Sequence, residues 1–185
     1  MMFDEVVMAC HSDQTLDLVH GINQQTRNIL ASIPYQKNRA ILHTDTRFLP
    51  IEKRCWAAWN YTAKSGAKPS SKQHVSVNYL INRLQPLPAK LNNTQIIVSL
   101  NPASEPDPKL IYQEIHYSHP VFDMSAIQAQ KELPLIQGMA SIWYCGAWTG
   151  FGFHEDGLRS GELVALDLME SISHRVKSGP IKDIQ

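Results

Sequence analysis

Apolar and polar positions along the chain change their spacing several times, and each change marks an element. Val6-Val7-Met8-Ala9-Cys10 is a continuous apolar run, the pattern either of a strand buried on both faces of a parallel sheet or of an edge strand in a self-contained domain. Ser12 and Asp13 then offer N-cap side chains for a short helix over Gln14 to His20. A second helix covers Gln24 to Ser32 and must stop before Pro34. From there the texture turns to strands, at Arg39–Thr44, Cys55–Tyr61, Val75–Leu84, Ile96–Leu100 and Leu110–Tyr117. Lys64 to Gln73 is polar, holds Gly66 and Pro69, and reads as a loop. Within Val75–Leu84, alternation puts Val75, Val77, Tyr79 and Ile81 on one face. The other face carries Ser76, Asn78, Leu80 and Asn82, polar enough to be solvated or to line a cavity. Met124 to Leu133 reads as a helix capped by Asp123 and ended near Pro134.

The last pattern is the most informative. Ile142-Trp143-Tyr144-Cys145 has the length and aromatic content of a buried strand. A loop with Gly146, Gly150 and Gly152 follows, and Asp156 to Ser171 is amphipathic. Helical spacing gathers Leu158, Val164, Ala165, Leu168 and Met169 on one face of that segment. Strand, glycine turn and helix start together aim free backbone N–H groups at whatever lies above them. The order of elements gives an α+β fold: a mixed, mostly antiparallel sheet with flanking helices, plus a C-terminal strand–loop–helix. A chain of 185 residues is long enough for a single compact unit.

Charge narrows the function classes. With 17 basic and 17 acidic residues, broad electrostatic capture of nucleic acid or of an anionic membrane is unsupported. No apolar run approaches the roughly 20 residues of a membrane span, and the acidic start MMFDE is unlike a signal peptide. Cys10, Cys55 and Cys145 form no CxxC pair, which suits reduced thiols in a cytoplasmic protein.

Candidate chemistry concentrates in the glycine loop. The dinucleotide fingerprint GxGxxG begins with Gly150 and Gly152, but its third position falls on Glu155. Glu155 and Asp156 would repel a phosphate, whereas both favour the helix dipole as first-turn acids. A neutral carbonyl or a delocalised partial anion is therefore the better guest. His116 and His119 form an HxxH pair, but a spacing of three in an extended run sends them to opposite faces, against a metal site. His11, His43 and His74 are isolated and read as structural or exposed. There is no GxSxG elbow, and Gly157, Ser160 and Gly161 read as a small-residue face for close approach. Trp56 and Trp59 point opposite ways if both lie on one strand. Trp148, inside the glycine loop, is a candidate ligand contact.

These residues carry a resemblance. Cys145-Gly146-Ala147-Trp148-Thr149-Gly150, followed by Gly152, Glu155, Gly157, Arg159, Ser160 and Gly161, resembles the C-terminal FAD-binding motif of flavin-containing amine oxidases, and in particular the bacterial group of NAD/FAD-binding proteins. FDEVVMACHSDQTLDLV and YQKNRAILHTDTRFLP are similar to further segments of that group. The resemblance implies an amine-oxidase-like substrate domain over 36–134 and FAD-domain-like elements at 1–20 and 140–175. It implies FAD as cofactor, held at Gly146, Ala147, Trp148, Gly152, Phe153, His154, Glu155 and Asp156, with the backbone of His154 to Asp156 facing the N1–C2=O edge of the isoalloxazine. Ala147 stands where the family usually has an acid. The family's N-terminal GxGxxG element is absent from these 185 residues. The expectation is thus the C-terminal portion of a larger cytoplasmic flavoprotein acting on a small-molecule substrate, with no nucleic-acid partner and a possible homo-oligomer through the strand at Val6–Cys10. The alternative is a non-enzymatic remnant or small-ligand or protein-binding domain that cannot hold FAD by itself.

Overall fold

Side-chain caps set the helix starts, and the apolar faces behind them decide what packs. The computed structural model describes residues 3–63, 75–91 and 93–177. The expected loop Lys64–Gln73 and His74 lie outside the described residues. The chain divides into two compact units, Met1–Gln36 with Pro120–Gln185, and Lys37–His119, where the sequence suggested one.

In the first unit, β1 (Val6–Met8) leads to α1 (Ser12–Leu18) and α2 (Gln24–Ala31). Asn23 caps α2 by accepting from the Thr26 N–H at 2.8 Å. Asp123 caps α3 (Met124–Glu132) through the Ala126 N–H at 2.9 Å, as its sequence position suggested. Helical spacing on α2 and α3 then brings Ile29, Leu30 and Ile33 against Ala126, Ala129 and Leu133, with Ile136, Tyr144 and Trp148 completing the core. Each fully buried aliphatic side chain there contributes roughly 1.5–3 kcal/mol, a large share of a domain's net stability of about 5–15 kcal/mol.

β7 (Ile142–Tyr144) pairs in parallel with β1, Val7 opposite Trp143. β1 is shorter and more open than its apolar run suggested, with Val6 and Val7 40% and 44% exposed. Glu5 locks this pair to the C-terminal helix: its carboxylate accepts from the Trp143 indole N–H at 2.7 Å and from Arg175. These bonds hold the Glu5 carboxyl below its usual range, the Trp143 bond first and Arg175 second.

α4 (His154–Lys177) starts two residues earlier and runs six further than its sequence pattern suggested. Its packed face matches the expected one only in part. Ser160 and Val164 are buried, with Gly157, Gly161 and Leu168 partly covered, whereas Leu158 and Met169 are 58% and 65% exposed. Val164 and Leu168 are thus the expected residues that pack, against Trp143 and Cys145.

The second unit is a sheet in the order β3 (Trp59–Ala63), β4 (Val75–Leu80), β5 (Ile97–Leu100), β2 (Tyr35–His43), β6 (Ile111–Pro120). The pairs β3–β4, β4–β5 and β5–β2 are antiparallel. The described helices α1–α4 all belong to the first unit, α3 included, so the sheet unit ends before the expected 134. Trp56 is not on a strand. It follows a 3-10 turn at Lys53–Cys55, donates to the Pro50 carbonyl at 2.7 Å, and packs on Leu49, Leu80 and Ile97.

The face of β4 carrying Ser76, Asn78 and Leu80 is fully covered rather than solvated. Burying an unpaired amide or hydroxyl costs several kcal/mol, and neighbouring strands supply the partners. Ser99 donates to the Asn78 side-chain oxygen at 2.6 Å, and Asn78 donates to the Thr62 hydroxyl at 2.7 Å. His43, also fully buried, lies 2.8 Å from the Ser99 hydroxyl through Nε2 and accepts the Asp45 N–H at Nδ1.

Candidate functional site

The glycine loop between β7 and α4 is held from both sides. On one side, Gln130 of α3 donates to the Trp148 and Gly150 carbonyls at 2.9 and 2.7 Å. On the other, Ser160 of α4 accepts the Gly146 N–H at 2.9 Å and donates to the Gly157 carbonyl. Gly146 has φ +139°, a conformation that favours glycine, and a Cβ there would lie 2.9 Å from the Trp148 indole.

Asp156 decides the geometry of the helix start. Its Oδ2 accepts the Phe151 N–H at 3.1 Å and the Phe153 N–H at 2.9 Å. The second contact is the N3-to-N-cap half of a capping box. The carboxylate folds back into the space above Gly150, where a Cβ would come within 2.5 Å of Oδ1. One of the two expected acids thus acts on the loop itself. The Gly157 amide closes the first helical turn on the Phe153 carbonyl at 3.2 Å, so the amides of His154, Glu155 and Asp156 have no intrahelical acceptor. His154 and Glu155 are exposed, and Phe151 and Phe153 flank them at 72% and 69% exposure.

The expected cofactor positions therefore separate into two sets. Phe153, His154, Glu155 and Asp156 come together at the open start of α4. Gly146, Ala147, Trp148 and Gly152 are folded into the loop's own packing. Trp148 is 2% exposed, with its indole N–H donating to the Cys10 carbonyl at 3.0 Å, so its side chain is a core anchor and not a free ligand contact. Gly152 donates to the Ala147 carbonyl at 3.0 Å, and Ala147 packs against Gly157. Gln130 and Ser160, which hold the loop, carry no local signal that links them to it; only the fold brings them there.

This arrangement can be tested against the cofactor that the resemblance implies. The open amides at the start of α4 fit the partial negative charge of a flavin edge. The pyrophosphate end does not fit: the Gly146 amide is already taken by Ser160, and Glu155 is an exposed carboxylate at the place where an anion would dock.

The other candidates resolve as structural. His116 lies 3.3 Å from Glu114, while His119 contacts Asn38 at 2.9 Å and stacks edge-on to Tyr117 at 4.7 Å, so the two imidazoles serve different neighbours. Among the described residues no three His, Cys, Asp or Glu side chains gather as a metal site. Ser99, His43 and Asp45 resemble a nucleophile triad by residue type only. His43 Nδ1 accepts a backbone N–H and so cannot donate to a carboxylate, and Ser99 is fully buried. Asp45 instead pairs with Arg47 and accepts the Asp107 N–H at 3.0 Å, which holds its carboxyl far below the ordinary range. Cys10, Cys55 and Cys145 are free, and burial pushes the Cys145 thiol up. No described helix is long and apolar enough to cross a membrane. Comparison with protein-family models and with curated proteins finds no match for this chain.

Proposed function

We propose that the chain is a portion of an FAD-dependent oxidoreductase resembling amine oxidases, cytoplasmic and acting on a small-molecule substrate. The sheet unit supplies substrate-side surface, and the start of α4 supplies backbone contacts to the flavin edge. One observation carries this reading: at the exposed helix start Asp156 bonds the Phe151 and Phe153 amides, and the His154, Glu155 and Asp156 amides have no intrahelical acceptor. Bound FAD would supply the redox chemistry, and the protein orientation and electrostatics. The helix N-terminus favours negative charge by about 0.3–1 kcal/mol at an exposed site, more where water is excluded.

The test is optical. FAD titrated with the purified chain should show a saturable change in visible absorbance and fluorescence. His154→Pro removes one first-turn N–H at a position where proline is compatible with a helix, and should weaken that response without lowering the melting temperature. Flavin spectra that stay unchanged at a large excess of protein would sink the reading for this chain. A second reading, a binding domain without redox activity, is favoured by the packing of the loop: Gly146 and Gly150 make room for Trp148 and Asp156 of the same chain. It predicts no flavin response and retained binding of other ligands.

A further inference from the structure

A groove of about 590 Å³ opens on one face of the sheet unit, where β5 and β2 meet the connection from β4 to β5. Leu42 and Val98 form its floor; they are cross-strand partners, so their side chains leave the same face of the sheet. Ile96, two residues before Val98, joins them by strand alternation. The other face of these strands is closed, with His43, Ile97 and Ser99 fully buried. Leu87 and Leu91 form the wall opposite the floor. The chain holds that wall in place by itself. Asn82 clamps the base of the connection, donating to the Thr94 carbonyl at 2.9 Å and accepting the Ile96 N–H at 2.8 Å. The Leu91 N–H donates to the Pro88 carbonyl at 2.8 Å, and Pro86 and Pro88 fix φ on either side of Leu87. An apolar wall formed in advance loses little conformational freedom when a guest binds.

Charge then narrows the guest. Lys90 and Gln85 line the groove as exposed side chains at its rim. Neither makes a hydrogen bond or ion pair among the described residues, and no described Asp or Glu lines the groove. The Lys90 stem can lie along the aliphatic surface while its ammonium stays at the rim. A cationic guest would meet like charge there with no carboxylate to offset it. A guest with an apolar chain and one anionic, acceptor-only head matches both the floor and the rim. At about 30 Å³ per water in the liquid, the groove has room for a chain on the order of ten carbons.

We propose that this groove binds a medium-chain alkyl carboxylate, with its chain along Leu42, Val98 and Leu91 and its head on Lys90. The whole site lies within Lys37–His119, and the inference does not rest on the flavin reading.

The experiment is isothermal titration of the full chain, without FAD, with sodium decanoate and with decylammonium chloride. Both are kept below micelle-forming concentrations and at equal ionic strength. Saturable one-site binding is expected for decanoate, with decylammonium weaker by about fivefold or more. Octanoate, two methylenes shorter, should bind about tenfold more weakly than decanoate. Lys90→Met keeps the apolar stem and should weaken decanoate about three- to tenfold at an unchanged melting temperature, because the lysine is exposed and unpaired among the described residues. Lys90→Glu should reverse the order of the two guests. Leu87→Ala should weaken both guests alike, since it removes wall and not charge. No saturable binding, decylammonium as tight as decanoate, octanoate equal to decanoate, or an unreversed order in Lys90→Glu would each overturn the proposal. Because flavin is absent throughout, failure here leaves the flavin reading standing, and the converse holds.

Discussion

Acidification should weaken the sheet unit through a single imidazole. His43 is fully buried; its Nδ1 accepts the Asp45 N–H at 3.1 Å, and its Nε2 lies 2.8 Å from Ser99. An Nδ1 that accepts fixes the neutral tautomer with the proton on Nε2, which donates to Ser99; Ser99 in turn donates to Asn78. A second proton would have to sit on Nδ1, facing a backbone N–H. Burial lowers the His43 pKa, and the nearby Asp45 carboxylate only partly opposes this.

The folded state therefore binds this proton later than the unfolded chain, in which histidine titrates near 6.5. Above that pH the imidazole is neutral in both states and the contribution is constant. Stability is lost as pH falls below about 6.5, and the loss stops only where the folded imidazole itself takes up the proton. With His43 still neutral in the fold at pH 5.5, the unfolded state gains about 1.4 kcal/mol relative to its neutral form. The carboxylates with lowered pKa, Asp45 and Glu5 among them, lose their contributions only below about 4. The pH 5.5–7.5 window is thus free of them. Urea unfolding at pH 7.5 and 5.5, on wild type and His43→Gln, isolates the effect. Wild type should lose on the order of 1 kcal/mol more than the variant over that window. The variant should start lower at pH 7.5, by about 1–3 kcal/mol, from a disturbed buried network. Equal pH dependence in both proteins would refute the assignment of tautomer and burial to this residue.

Two further outcomes follow from the same geometry. Gly150→Ala puts a Cβ 2.5 Å from the Asp156 carboxylate and should displace it from the Phe151 and Phe153 amides, costing about 1–2 kcal/mol in thermal melts. Combined with Asp156→Ala it should cost far less than the sum, since both remove one cap. Asn78→Ala removes the acceptor of the buried Ser99 hydroxyl and should lower the urea stability of the sheet unit by about 1–3 kcal/mol, while Asn82→Ala, nearer the surface, costs less.

Elements whose signal is local were legible in the sequence. Asp123 caps α3 because the motif lies within one turn of the helix it starts, and the runs at Arg39–Thr44 and Ile96–Leu100 fall within or beside β2 and β5. Where partners come from far along the chain, sequence patterns misled. Ser76 and Asn78 look like a solvated face until Ser99 and Thr62 arrive to pair the amide. Val6 and Val7 suit a doubly covered strand or an edge strand, and the sequence does not choose; among the described residues β7 alone pairs with them. On α4, the expected apolar face is right at Val164 and Leu168, which pack on Trp143 and Cys145, and wrong at Leu158 and Met169, which stay exposed. Hydrophobic periodicity finds the apolar positions of a helix, and the neighbouring elements decide which of them are covered.

The glycine loop joins these points. A glycine-rich turn before a helix invites a ligand reading, but Gly146 and Gly150 are each required by a side chain of the same chain. What remains for a ligand is the set of first-turn amides, which a helix start leaves without intrahelical acceptors. With Glu155 exposed beside them, a full anionic charge is disfavoured there, and a partial one is not.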